Sequence, residues 1–555
     1  MYDSLHRLAS PGTFAVMIAP WSQTYDPFHN RVLSTLVAAI PIVTLLGVIA
    51  VGRIRAHRAA LLGLAAALVV AVWALGMPAG LALRASLLGV AYGLLPIGWI
   101  ILNVIFLYHL TEQKGLFNVL QQSLGRVTSD RRLQLVLIAF SFGAFFEGAA
   151  GFGTPVAVTG ALLLGLGFPP LEASGLSLLA NTAPVAFGAL GTPLVALHGV
   201  TDIDLRALSA MVGRQLPFFS VLIPFWLVIA YAGWKKAVAV WPALVVAGVG
   251  FAIPQWLVSN YHGPWLVDVV SALVSLACLT VLLRVWHPRD VQREAHHGEH
   301  DRAEVIRAWT PWVILSVVVF LWGLPQTKAF LDGISAPKFP IAGLDGVVQR
   351  VPPVVAKAKP ETAVFLFNWL SASGTGILVA ALIAAAVMGY RPAEIVKAYW
   401  RSLVTVRLSL VTIAAMLGIG YLARYSGMDA ILGLAFASTG VWYPFFGTLL
   451  GWLGVALTGS DTASNVLFGS LQTITSHQLG LSPTLMSAAN SSGGVMGKMI
   501  DMQSIVVAST TTRWYGHEWA ILRFVFLHSL ALAGLVGLLV TLEAYVAPFT
   551  ALVVR

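Results

Sequence analysis

Phe146-Glu147-Gly148-Ala149-Ala150-Gly151-Phe152-Gly153-Thr154-Pro155 sets one carboxylate among small residues in the middle of the apolar run 133–168, and Leu457-Thr458-Gly459-Ser460-Asp461-Thr462-Ala463-Ser464-Asn465 does the same inside 442–477. A straight bilayer-spanning helix takes roughly 20 apolar residues. Both runs are too long for one such helix and are broken at their centres. Broken backbone at membrane depth is tolerated where it is buried in protein or lines a watery cavity. Both segments therefore read as re-entrant hairpins.

Around them the chain is built for a bilayer. Hydrophobic residues make up 58% of it and charged residues only 10%, against about a quarter charged in an ordinary soluble domain. Apolar windows predict twelve spans, at 32–51, 59–77, 81–110, 171–199, 218–233, 241–259, 264–283, 309–325, 363–389, 404–423, 481–508 and 524–546. The fold expected is an all-α polytopic membrane protein: twelve transmembrane helices plus two re-entrant hairpins in an inverted repeat. The formal charge of +10 comes from lysines and arginines in short loops beside apolar segments, where they set orientation and do not indicate nucleic acid. The single cysteine, Cys278, excludes a disulfide framework and a thiolate metal cluster.

Arg53, Arg55 and Arg58 follow the first span, and Lys114, Arg126, Arg131 and Arg132 follow the third. The positive-inside rule makes both loops cytoplasmic. The parity continues through Lys235 and Lys236, Arg391 to Arg401 and Arg513 to Arg523, with the basic linker from Gln326 to Lys359 as the exception outside. The organisation that follows is an extracytoplasmic segment 1–31, a first membrane half 32–284 with hairpin 133–168, a cytoplasmic charged loop 285–308, and a second half 309–555 with hairpin 442–477. The N-terminus resembles no cleaved signal, and Met17 offers an alternative start. The first hairpin enters from the cytoplasm and the second from outside, the inverted arrangement that recurs in secondary transporters.

Each hairpin is followed by a span interrupted at an asparagine motif: Ala180-Asn181-Thr182-Ala183-Pro184 with Gly188, and Ala489-Asn490-Ser491-Ser492-Gly493-Gly494. Helix N-termini and glycine-rich backbone offer free N–H groups to a small anion. Candidate substrate contacts are Gly151, Gly153, Thr154, Asn181, Thr182, Ser460, Asp461, Thr462, Asn490, Ser491 and Lys498. An ionisable group at mid-membrane is by default a functional hypothesis, and Glu147 and Asp461 are the candidates for taking up and releasing a proton. The alternative is a structural role, paired with backbone donors or with Lys498. Lys498 either faces a substrate carboxylate or neutralises Asp461. Arg214 reads chiefly as a snorkelling arginine, His528 as a satisfied helix contact, and Arg407 as a weak candidate. His296-His297-Gly298-Glu299-His300-Asp301 lies in a polar loop and reads as a solvated linker, not a metal site. No Walker A loop, nucleophile elbow or His-Glu-x-x-His motif occurs, so ATP-driven transport and hydrolysis have no support, and no cofactor is implied.

Phe142 to Gly153, Asn181 to Gly188 and Leu457 to Thr462, in this order and with Val212 to Pro217, Arg350 to Pro353 and Gly493 to Ile500, resemble the signature stretches of the bacterial L-lactate permease family, which also takes up glycolate. The resemblance runs from about Trp21 onward. It implies proton-coupled uptake of lactate and related 2-hydroxy monocarboxylates across the inner membrane. More distantly, the hairpin-and-asparagine plan is similar to the ion transporter superfamily, whose members are often homodimers that work by an elevator motion. Asn368 stands where the family often has aspartate, and the segment between Arg284 and Arg307 is this chain's own. Sodium coupling, and a membrane-embedded enzyme or sensor using the two carboxylates, remain the alternatives.

Overall fold

The computed structural model describes residues 20–52, 56–116, 119, 127–149, 151, 154–288, 302–355, 357–515 and 517–554. Met17, Gly153 and the histidine run 296–301 lie outside these. The described chain is almost entirely helical. In order it forms α1 (Arg31–Gly52), α2 (Ala56–Val69), α3 (Ala79–Tyr92), α4 (Trp99–Gln113), α5 (Arg131–Ala149), α6 (Thr154–Gly165), α7 (Pro170–Ala180), α8 (Gly188–Thr201), α9 (Leu205–Ala232), α10 (Trp241–Tyr261), α11 (Val267–Val285) and α12 (Arg302–Gly323). The second half continues with α13 (Ser373–Val387), α14 (Pro392–Ser426), α15 (Met428–Phe436), α16 (Tyr443–Thr458), α17 (Asp461–Gln478), α18 (Pro483–Gly497), α19 (Met502–Thr511) and α20 (Glu518–Tyr545).

Ten described helical stretches are long and apolar enough to cross a membrane, eleven if the bent pair α7–α8 counts as one span. Several predicted spans change shape. The stretch 81–110 is interrupted at Leu95, whose φ of −135° and ψ of 121° are extended, ahead of Pro96, which has no N–H to continue the ladder. The expected span 363–389 becomes helical only at Ser373, because Val364–Leu366 pairs antiparallel with Lys338–Pro340. The stretch 481–508 breaks at Asp501, which caps α19 through its carboxylate by accepting from Ser504 N at 2.8 Å. The short helix α15 was not anticipated.

Both hairpins turn back on themselves. In the first, α5 and α6 run antiparallel: a Cβ on Gly143 would lie 3.1 Å from Thr159 Cγ2, and Arg131, at the base, lies 5.9 Å over the Phe168 ring. In the second, α16 ends at Gly459 (φ +73°), and α17 returns with Ser464 Oγ donating to Gly451 O (3.0 Å) and Gln472 Nε2 to Gly447 O (2.6 Å). α18 lies against this hairpin at backbone distance. A Cβ on Gly451, Gly493 or Gly497 would come within 1.9–2.3 Å of carbonyl oxygens on the facing helix, the small-residue packing that brings membrane helices closest together.

The hairpins enter from opposite ends of the bundle. α9 has 28 residues and at 1.5 Å rise per residue is about 40 Å long, so Asp202 before it and Lys236 after it mark the two ends. Arg132, at the base of the first hairpin, donates to Lys236 O (3.1 Å). Gln478, at the base of the second, donates to Pro353 O (2.9 Å) in the linker. That linker is tied to the Asp202 end: Arg424 bonds both Asp202 and Glu361, and Gln23 donates to the carbonyls of Arg424 and Tyr425.

Candidate functional site

A cavity of about 210 Å³ lies where the two tips meet. Glu147 and Gly151 reach it from the first hairpin, and Thr458 to Ala463 from the second. The broken spans contribute Val185, Gly188, Ala189, Thr192 and Pro193 on one side, and Lys498, Gln503 and Ser504 on the other. The unbroken α14 closes it with Ser409, Thr412 and Met416. His57, at the start of α2, also lines it. α1 starts beside the Gln23 segment and α2 runs back, so His57 marks the Lys236 end and the cavity extends that way.

The two carboxylates occupy opposite positions on their hairpins. Asp461 is the first residue of α17, after Ser460, whose hydroxyl caps Ala463 N (3.2 Å). Asp461 Oδ2 accepts from Ser491 Oγ (2.5 Å) and Asn465 Nδ2 (3.2 Å). Behind it a closed network runs from Asn490 Nδ2 to Asn465 Oδ1 (3.0 Å), from Gln472 Nε2 to Asn490 Oδ1 (3.2 Å) and from Tyr443 OH to Gln472 Oε1 (2.6 Å). Asn465 also donates to Pro193 O (3.2 Å), joining the second hairpin to α8. Glu147 instead sits in the last turn of α5, before the tip. Its Oε2 is buried without a hydrogen-bond partner, as is Asp461 Oδ1. Asn181, beside Glu147, has neither amide atom partnered although the residue is 2% exposed.

Each carboxylate rests against a glycine of the broken span that follows its hairpin. A Cβ on Gly188 would stand 2.5 Å from Glu147 Oε1, and one on Gly494 would stand 2.4 Å from Asp461 Oδ1. The chain at the first break is wound left-handed through Ala189 (φ 44°), Leu190 (φ 55°) and Gly191 (φ 78°). Such conformations cost about 1 to 3 kcal/mol each in non-glycine residues and persist where the surroundings impose them. The tip of the first hairpin packs against this turn: a Cβ on Gly151 would lie 3.1 Å from that of Ala189.

Of the residues read from the sequence, Glu147, Gly151, Ser460, Asp461, Thr462 and Lys498 line the cavity. Asn181, Thr182, Asn490 and Ser491 stand one layer behind it, with Thr182 Oγ1 turned to Leu179 O (2.8 Å). Thr154 opens α6. Lys498 bonds Gly459 O (2.6 Å) and pairs with Asp501 Oδ2 (3.3 Å), not with Asp461. Arg214 is held at Asn260 Oδ1 (3.0 Å) and Leu552 O (2.9 Å), His528 accepts from Trp226 Nε1 (3.0 Å), and Asn368 lies in the turn before α13, away from the cavity. The sequence reading missed Asp501 and Asp268. Both are ionisable residues in apolar surroundings, the same signal that singled out Glu147.

Two glycine-broken hairpins inserted from opposite ends, with a polar cavity between their tips inside a helical bundle, define a multi-pass membrane transporter. The family model described as L-lactate permease matches residues 34–547, and the chain belongs to that family. Glycolate permease GlcA of Escherichia coli strain K12 is 45% identical over 96% of this chain and 99% of its own length. The L-lactate permease of the same strain is 43% identical over 95% and 98%, and that of Bacillus subtilis strain 168 is 43% identical over 95% and 99%.

Proposed function

We propose that the protein imports L-lactate and glycolate across the inner membrane by proton symport, as a homodimer. The observation that carries this reading is the cavity itself. It is small, and it combines a helix N-terminus at Asp461 and Thr462, the Lys498 ammonium, hydroxyls at Thr192, Ser409 and Thr412, and an apolar wall of Val185, Ile413 and Met416. The cation and the free N–H groups suit a carboxylate, the hydroxyls suit the 2-hydroxy group, and the apolar wall suits a short carbon skeleton. The names of the relatives point the same way.

Glu147 is the proton carrier in this reading. It sits at the carbonyl end of α5, where the helix dipole opposes a negative charge, whereas Asp461 sits at the N-terminal end of α17, where the dipole supports one. Protonation of Glu147 as the substrate anion binds keeps the occupied site from gaining charge. Charge at bilayer depth is what makes crossing costly. His57 at the Lys236 end makes the cavity cytoplasm-facing by the positive-inside rule, with the Asp202 end closed by the Arg424 ion pairs.

Sodium coupling is the second reading, favoured by the unpartnered oxygens of Glu147 and Asp461, two residues that line one cavity. The test is uptake of labelled L-lactate into proteoliposomes under a pH gradient without sodium. Accumulation there supports proton symport. Accumulation only under a sodium gradient replaces it with the second reading, and turnover of lactate without flux overturns transport.

A further inference from the structure

The described residues hold one more buried carboxyl group next to the site, outside the substrate and proton roles assigned to Glu147 and Asp461. Asp268, in the first turn of α11, is 1% exposed, and both of its carboxyl oxygens lack a hydrogen-bond partner. It packs directly on the tip of the first hairpin: a Cβ on Gly148 would stand 2.6 Å from Asp268 Cβ and 3.1 Å from Val269 N. A residue larger than glycine would push it away from Glu147, the adjacent residue. Asp268 does not line the cavity, and Glu147 does.

Among the described residues, Glu147 is the titratable group that acts on Asp268, electrostatically from α5. In the connection before α11, His262 is turned to Phe320 O (3.1 Å), and His198 on α8 is turned to Ile203 O (2.7 Å). Lys498 and Asp501 act on Glu147. No cation compensates Asp268 among the described residues. Two adjacent carboxylates in a low-dielectric interior cannot both stay ionised, and such pairs titrate as a unit.

We propose that Glu147 and Asp268 form one proton-holding carboxyl pair, in which Glu147 exchanges with the cavity and Asp268, sealed behind it, retains a proton throughout the cycle. This deepens the proton-symport reading and rests on it. The pair alternates between a monoanion and a neutral form. A proton from water in the cavity adds to the ionised Glu147 oxygen as substrate binds, and the same O–H bond breaks to return it to water on the other side. The protonated Asp268 stabilises the ionised state of Glu147, so Glu147 releases its proton readily. Asp268 is thus a positioning residue for the proton and makes no contact with substrate.

The test uses the full chain in proteoliposomes, with Asp268→Ala, which removes the O–H donor, and Asp268→Asn, which keeps a neutral N–H donor of the same shape. Asp268→Ala is expected to move the pH midpoint of lactate uptake upward by about one unit, a tenfold change in proton affinity, and Asp268→Asn to leave it in place, while lactate counterflow at low pH stays at the wild-type rate in both. At neutral pH the infrared carbonyl band of protonated carboxyl groups is expected to lose intensity in Asp268→Asn but not in Asn181→Ala. An unchanged midpoint in Asp268→Ala, or a band that Asp268→Asn leaves intact, overturns the pair. Wild-type protein without pH-driven uptake overturns proton symport itself, whatever the band does.

Discussion

The two hairpins are built on one plan and finished differently. In the second, the polar groups around the carboxylate are bonded to one another: Ser460 caps its helix, Asn465 and Ser491 hold Asp461 Oδ2, and Asn490 is used up between Asn465 and Gln472. In the first, Glu147, Asn181 and Asp268 sit together with buried atoms that have no partner. Buried polar groups are nearly always satisfied, and exceptions ask for an explanation. Here the contrast divides the labour. Under the proposed mechanism the second hairpin is the rigid platform for the anion, and the first keeps unfilled valences for the proton.

The sharpest way to break this comparison is to neutralise the two carboxylates in turn. Asp461→Asn should weaken lactate binding by about 1 to 3 kcal/mol, roughly ten- to a hundredfold, because the carboxylate that accepts from Ser491 and Asn465 fixes the first turn of α17, whose free N–H groups face the substrate anion, and both uptake and counterflow should fall. Glu147→Gln should abolish accumulation under a pH gradient yet keep counterflow, with a rate that no longer varies with pH. If counterflow falls equally in both, the division of labour is wrong.

A smaller effect separates the paired glycines. Gly494→Ala drives a methyl into an Asp461 carboxylate that two hydrogen bonds hold in place, and overpacking of this kind costs about 1 to 3 kcal/mol. Gly188→Ala meets the far end of the longer Glu147 side chain, which has the cavity to move into. Uptake should therefore drop further in Gly494→Ala, by about tenfold relative to Gly188→Ala. The reverse order would place the rigid site at the first hairpin.

The asparagines should differ in stability more than in activity. Asn465→Ala strands Asn490 and one bond of Asp461 and should lower thermal stability by about 1 to 3 kcal/mol. Asn181→Ala removes no hydrogen bond seen in the structure, so melting of the detergent-solubilised protein should barely change, while the KM for lactate rises. A melting loss for Asn181→Ala as large as for Asn465→Ala would mean its amide is engaged structurally after all.

How far the site could be read before folding depended on whether its signal was local. Glycines at the centre of an overlong apolar run announce a broken helix by themselves, and a carboxylate among them is conspicuous against lipid. The roles of Asn181 and Asn490 could not be told apart, because each motif reads alike and only the neighbour across the bundle, Gln472 and Asn465 for one and the Glu147 carboxyl for the other, distinguishes them. Lys498 had two plausible carboxylates, and Asp501, three residues on, took it because the break there turns the chain back toward Gly459. The helix expected from Ala363 starts ten residues late for a similar reason: Val364–Leu366 finds a strand partner at Lys338–Pro340 that no local pattern reveals.

What the sequence by itself determined was the solvent and the grammar: a lipid-embedded helical chain, two interruptions, and the charged residues tolerated at them, since transfer free energy and backbone freedom are properties of short segments. The tertiary structure alone decided which of those residues are spent on each other and which are left open, because hydrogen-bond satisfaction depends on groups distant in sequence. Asp268 is the clearest case. On its own it is one aspartate at the start of an apolar helix, and only the packing of α11 on Gly148 makes it the neighbour of Glu147.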